Sequence, residues 1–337
     1  MEQLSRYPME KTVKIMRRSI YIFLQKYQSF TTTAALLAFP FAALVLLSET
    51  SIPSSSLLHA IQHRLQSLFD AAGFPRSSEF FTVLNLKLSQ TIATSFLVFP
   101  FTLTFLLFSK AFIIQVFCNH KPTSDHAFAS FLSLYSPLFL TQICNMLVII
   151  SANATCFCLL FFGFNCLDGL GLLNRKTLLF FSATGAVLYS IILANAFIIC
   201  NLGLILSGME NSGGYIAILK ACVLIRGRTA TALALALPIN MALAATEALF
   251  QYRVVRSYHH HHSESPISSI AFEGIFIAFL YSVLLVLDTV VGCVFYQSCK
   301  ASNQLDHENG QSYSYVIEFE DKYANTFAKP KKLEDLP

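Results

Sequence analysis

ENSGGYIAILKACVLIRGRT, residues Glu210–Thr229, is a short helical run between glycine breaks, with Lys220, Arg226 and Arg228 set among apolar residues. The chain then enters an apolar run, Ala230 to Leu249, whose single charge is Glu247. A basic amphipathic segment followed by roughly 20 apolar residues is the pattern of an interfacial helix leading into a membrane crossing. The same order opens the chain, where Lys11–Tyr27 precedes a first apolar run, and recurs in weaker form near Asp125. It reads as the repeating unit of a multi-pass membrane protein.

Composition agrees. Charged residues are 12% of 337 and hydrophobic residues 55%, with mean hydropathy +0.58. A soluble domain carries about 25% charged residues, so this chain cannot cover a water-facing surface. The nine cysteines lie mostly in or beside apolar runs, without zinc-like spacing, and read as small packing residues. Cys299, beside Lys300 at the exit of the last run, is also a position for reversible palmitoylation. No cleavable leader is visible; the first apolar run reads as a signal anchor.

The expected fold is an all-α bundle of six spans, about 29–48, 89–118, 129–164, 178–206, 230–250 and 270–296. Residues 1–28 form an amphipathic segment ahead of it, and residues 298–337 a polar tail without apolar period, expected to be disordered. In the first segment Val13, Met16, Ile20, Phe23 and Tyr27 recur at helical steps, opposite Lys11, Lys14, Arg18 and Gln25. Leu57, Leu58, Ile61, Leu65 and Leu68 mark a further amphipathic helix, ended by Gly73 and Pro75. Spans 1 and 2 both contain Phe-Pro-Phe (39–41 and 99–101), where a missing backbone donor kinks a helix. Lys110 lies near the end of span 2, positioned to snorkel to the interface. Pro137 is expected to separate an interfacial part from the third crossing.

Six spans put both termini on one side. With the termini inside, inner segments hold 16 of the 23 Lys and Arg and outer loops 7, so the positive-inside rule places both ends in the cytosol. Three hairpins result, each with an inner interfacial segment, which suggests a threefold repeat. The cations expected at the leaflet are Lys14, Arg17, Arg18, Lys220, Arg226 and Arg228, against anionic lipid headgroups.

The lead-in Lys11–Ser19, the core Gly214-Tyr215-x-Ala217-x-x-Lys220-Ala221 with Leu224-x-Arg226-Gly227-Arg228-Thr229, and the exit Val294-Phe295-Tyr296 to Cys299-Lys300 resemble a plant family of six-span membrane proteins without an established biochemical role. The same core is similar to the membrane domain attached to some bacterial glycerophosphodiester phosphodiesterases, a domain without the catalytic residues. These resemblances imply membrane location and architecture, not chemistry. The charge-poor middle repeat and the histidine tract depart from the pattern.

Ionisable groups inside spans are functional suspects. Asp288, in SVLLVLDTVVGCVF, is the foremost; Glu247 and Glu273 lie nearer the outer ends. Polar residues that can face Asp288 are Asn240, Asn195, Asn201, Gln142 and Asn145. Two readings stand: a proton or cation site in the bundle interior, or a hydrogen-bonded group tying helices together. His259–His262 allows divalent metal binding on the outer face, or is a low-complexity tract; no metal site is assigned. Zincin, nucleophile-elbow, P-loop and dinucleotide fingerprints are absent, so neither catalytic residues nor a cofactor is expected. The net charge of +4 is accounted for by inner-leaflet contact, which leaves no role for nucleic acid. The expected function is non-enzymatic membrane organisation or trafficking, with a small-solute or ion transporter using Asp288 as the alternative.

Overall fold

The computed structural model describes residues 2–52, 55–71, 79–117, 127–171, 175–256 and 267–308. Within them the backbone is helical, with no strand, as lipid requires of a spanning chain whose amides must bond internally. The helices are α1 Glu2–Gln25, α2 Tyr27–Thr33, α3 Phe39–Ser51, α4 Ser56–Ala71, α5 Glu79–Phe101, α6 Leu107–Phe117, α7 Ala127–Gly169, α8 Arg175–Glu210, α9 Tyr215–Ile225, α10 Thr229–Phe250 and α11 Ile267–Glu308.

Among the described residues six stretches are long and apolar enough to cross a membrane: Tyr27–Ser48, Thr82–Phe117, Ser133–Leu167, Leu179–Glu210, Thr229–Val255 and Ile270–Ser302. The second begins earlier than its sequence suggests, because the polar residues Asn85, Lys87 and Ser89 do not interrupt the helix. The connector 118–126, the Gly73–Pro75 stop and the His259–His262 tract lie outside the described residues.

The prolines of the two Phe-Pro-Phe stretches stand beside π turns. Ala34–Ala38 winds as a π turn just before Phe39-Pro40, and Thr102–Leu106 as another just after Pro100. Widening the helix for one turn relieves the clash between a proline ring and the preceding turn. The two π turns pack against each other. Pro137 behaves otherwise. Helix α7 runs unbroken through it from Ala127 to Gly169, so the interfacial part expected before Pro137 is not broken off. Thr141 takes up the carbonyl of Pro137 through its hydroxyl at 2.8 Å.

Helix α11 is the centre of the bundle. Ile277, Ala278 and Tyr281 pack with Ala42 and Leu46 of span 1 and Phe250 of span 5. Val286 and Val290 pack with Phe30, Ala34 and Ala38 of span 1 and Ile113 of span 2. Val291, Val294 and Phe295 complete a larger core with α6, α8, α9 and α10. Gly292 permits this closeness, since a Cβ there would meet Ile205 of α8. The chain divides into two units, residues 1–299 and 300–337; in the second, residues 300–308 are helical, so the tail's expected lack of structure does not hold there.

Helix α9 doubles back on α8. Ile218 lies 3.4 Å from the Cβ position of Gly203, seven residues before the end of α8, or about 10 Å along its axis. The basic segment quoted at the outset is therefore folded against the bundle, with Ala217, Ile218, Ala221 and Ile225 buried and Tyr215, Ile216 and Val223 exposed.

Candidate functional site

Three spans contribute one charged or polar side chain each to a chain of hydrogen bonds. Lys110 of α6 donates through Nζ to Asn201 Oδ1 at 2.8 Å. Asn201 of α8 donates through Nδ2 to Asp288 Oδ2 of α11 at 3.0 Å. The amide stands between an ammonium and a carboxyl, accepting from one and donating to the other, which is the only polarity in which an asparagine can bridge them. Lys110, placed by its sequence at the interface, thus turns inward instead, because a carboxyl and an amide await it within the bundle.

Beside this triad lies a cleft of about 60 Å³ between α8, α10 and α11, with Asn201 and Asp288 on its floor and Ala232, Leu235, Ile239 and Phe295 among its walls. At about 30 Å³ per molecule it has room for roughly two waters. Asn240 and Asn195 do not reach it: both are exposed and bond back to their own helices, at Ala236 O and Ile191 O. Asn145 is buried and donates to Cys200 O at 3.0 Å. Gln142 is half-buried on α7. Of the five polar residues named for Asp288, Asn201 is the partner.

A second cluster lies where α8 ends. Glu210 accepts from Tyr296 Oη at 2.7 Å and from Lys220 Nζ at 3.2 Å, joining α8, α9 and α11. Nothing in the local sequence marks Glu210, since its partners are non-local or follow a turn. Tyr296→Phe is expected to lower stability by about 1.5 kcal/mol, the lower end for a hydrogen bond to a charged group, read from detergent melting curves. No change would mean that the Tyr296 hydroxyl does not hold Glu210 in place.

Glu247 of α10 is tied in the same manner, by Tyr281 Oη at 2.9 Å. Glu273 faces Arg253 at 3.8 Å on exposed surface. The six leaflet cations separate. Arg228 is half-buried and donates to Cys299 O at 3.0 Å; Lys220 is exposed and bonds Glu210. Lys14, Arg17, Arg18 and Arg226 are exposed.

Helix α1 carries three stripes. Ile15 and Ser19 are buried and Ile22 is partly so, packed toward the bundle, where α1 lies beside α10. Lys11, Lys14, Arg17 and Arg18 form an exposed cationic stripe. Of the apolar stripe anticipated from sequence, Met16 and Phe23 are partly buried against the bundle, while Val13 is 48% exposed, Ile20 44% and Tyr27, at the start of α2, 56%. At 100° per residue Val13 and Ile20 lie about 140° from the buried stripe, and the four cations spread over about 120° of the remaining arc.

A family model described as a domain of unknown function (DUF8558) matches residues 9–336. The chain belongs to the DUF8558 family. No curated protein and no solved structure matches it. In this DUF8558 chain the matched region takes in α1 from residue 9 onward, the six spans, the triad and the Glu210 cluster. Among the described residues no group of three or more His, Cys, Asp or Glu is arranged to hold a metal ion.

Proposed function

We propose that this chain is a non-enzymatic membrane-organising protein, of a kind used in trafficking, whose amphipathic helix α1 engages the anionic inner leaflet of an endomembrane or the plasma membrane, with both termini cytosolic. The observation that carries the reading is the arrangement of α1. One stripe is docked on the bundle, a second is cationic and exposed, and a third, with Val13 and Ile20 and followed by Tyr27 at the start of α2, is apolar and exposed. A helix held by its protein contacts with an apolar face outward and cations alongside suits the boundary between acyl chains and headgroups. Arg226, exposed between α9 and α10, fits the same plane. The resemblances to the plant six-span family and to the phosphodiesterase membrane domain accord with this reading, as neither brings catalytic residues. So does a threefold hairpin repeat, whose middle copy runs straight into its span.

The chain contains no Trp, so I20W supplies a single fluorescent reporter on the apolar stripe. Reconstituted in phosphatidylcholine with phosphatidylserine, the reporter is expected to be shielded from acrylamide more than in phosphatidylcholine alone. Arg17→Glu with Arg18→Glu is expected to abolish that difference, at about 1 kcal/mol per lost cation. Equal shielding in both bilayers would reject the reading.

A second reading, a proton or small-cation pathway, draws on the triad and its cleft. Room for about two waters restricts it to the smallest solutes. It requires that Asp288→Asn abolish flux in proteoliposomes while expression stays normal; unchanged flux would exclude it.

A further inference from the structure

Span 1 is flanked by a groove of about 650 Å³ that the triad and the leaflet stripes do not use. Its upper part is polar, formed by Gln25, Lys26, Gln28 and Thr32; its lower part is apolar, formed by Leu36, Leu37 and Phe112. On the helix, positions 25, 28, 32 and 36 follow one another at three- and four-residue steps, so one face changes from amide and hydroxyl to aliphatic within three turns. From Gln25 to Leu37 the rise is about 18 Å, enough for a headgroup and the upper half of an acyl chain.

We propose that this groove seats a phosphate-bearing membrane lipid, with its phosphate at the polar rim and one acyl chain along Leu36, Leu37 and Phe112. The chemistry of the rim selects the headgroup. Thr32 gives its hydroxyl proton to Gln28 O at 2.8 Å, so its oxygen faces the groove as an acceptor. The donors are the amides of Gln25 and Gln28 and the ammonium of Lys26, which Val116 O holds at the rim at 2.7 Å. One cation flanked by neutral donors matches a phosphodiester or phosphomonoester, because hydrogen bonds to a charged group are the strong ones. The cationic stripe of α1 adds complementarity: Arg18 lies seven residues before Gln25 on the same side, about 10 Å away along the axis. A free phosphate has no use for the apolar lower wall, and an apolar ligand has none for the rim. The inference rests on the leaflet reading to the extent that α1 must hold Gln25 and Lys26 at headgroup depth.

L36W provides the reporter in the groove, and L237W a control on α10. Leu36 and Leu237 are 67% and 58% exposed, and each lies about 12–14 Å past the start of its span at the same end of the bundle. The full chain is reconstituted in phosphatidylcholine and titrated with brominated-acyl phosphatidic acid or with brominated-acyl diacylglycerol, which differ only in the phosphate. In the groove, half-quenching by the phosphatidic acid is expected at a mole fraction about tenfold lower than by the diacylglycerol, the ratio one charge-assisted hydrogen bond provides. The L237W control is expected to show no such difference. Gln25→Leu with Gln28→Leu, both on exposed positions, is expected to remove the preference. A preference equal at both reporters, one that survives the double substitution, or one competed away by inorganic phosphate would each overturn the proposal. If L36W fails to discriminate while I20W still responds to phosphatidylserine, the groove falls and the leaflet reading stands.

Discussion

Asp288→Leu is expected to destabilise the bundle by roughly 2.5–3.5 kcal/mol, the cost of an ionisable group left without its partner at membrane depth. The damage falls on Lys110 and Asn201, not on the new leucine. Leucine fills the space well, but the Asn201 amide loses its acceptor at 3.0 Å and the Lys110 ammonium loses the carboxyl that offsets its charge. Two companion variants isolate the cause. Asp288→Asn keeps an acceptor for Asn201 and removes the charge, so it is expected to cost less than leucine. Lys110→Met combined with Asp288→Leu removes both charges and is expected to recover most of the loss, leaving about 0.6–1.7 kcal/mol for the interhelical hydrogen bonds. Chemical unfolding in detergent, arranged as a double-mutant cycle, gives the coupling directly. If the double variant is no better than the sum of the singles, the triad is not an electrostatic unit. If all variants fold like the parent, the polar chain is not retained for stability, and flux assays become the next measurement.

Gly214→Ala is expected to cost about 1–3 kcal/mol. Gly214 sits at φ 78° and ψ −146°, a conformation reserved for glycine, and begins α9. Its N–H donates to Thr141 Oγ1 at 2.8 Å, and Thr141 also contacts Ser207 Oγ at 2.9 Å, so the turn is tied to α7 and α8 together. Gly213→Ala acts by another route. A Cβ there would lie 2.7 Å from the Cα of Pro137, a backbone atom that cannot step aside. Gly227→Ala is the control, since Gly227 has φ +79° but open space around its Cβ position. It is expected to show the backbone cost alone, about 1–2 kcal/mol. Thermal melts in detergent rank the three. A Gly213→Ala variant as stable as the parent would show that the α8–α9 turn is not pressed against α7.

The two glycines illustrate how far the sequence is legible. Gly213-Gly214 is visible as a break after a long apolar run, and its place before a helix can be read locally. That a Cβ on Gly213 would lie 2.7 Å from the Cα of Pro137 is a fact about α7, some 75 residues earlier. Helix α1 shows the same division. Its apolar and cationic stripes are periodic in the sequence, but the stripe that packs contains Ser19, which no hydropathy pattern selects. Ser19 is buried because it is small and gives its proton to Ile15 O at 2.8 Å within its own helix.

Sequence alone determined the all-α class, six apolar runs of membrane length, and Asp288 as the charge that needs explaining. Each of these depends on composition or period within one segment, because lipid forces every spanning segment to satisfy its backbone internally. Only the tertiary structure decided that Lys110 turns inward, that Asn201 and not Asn240 or Asn195 meets Asp288, that α9 folds back along α8, and that Glu210 gathers Tyr296 and Lys220. Those pairings join residues up to 91 positions apart. They depend on which helix faces lie together, and that is set by close packing at residues such as Gly203 and Gly292, whose local sequence does not reveal their neighbours.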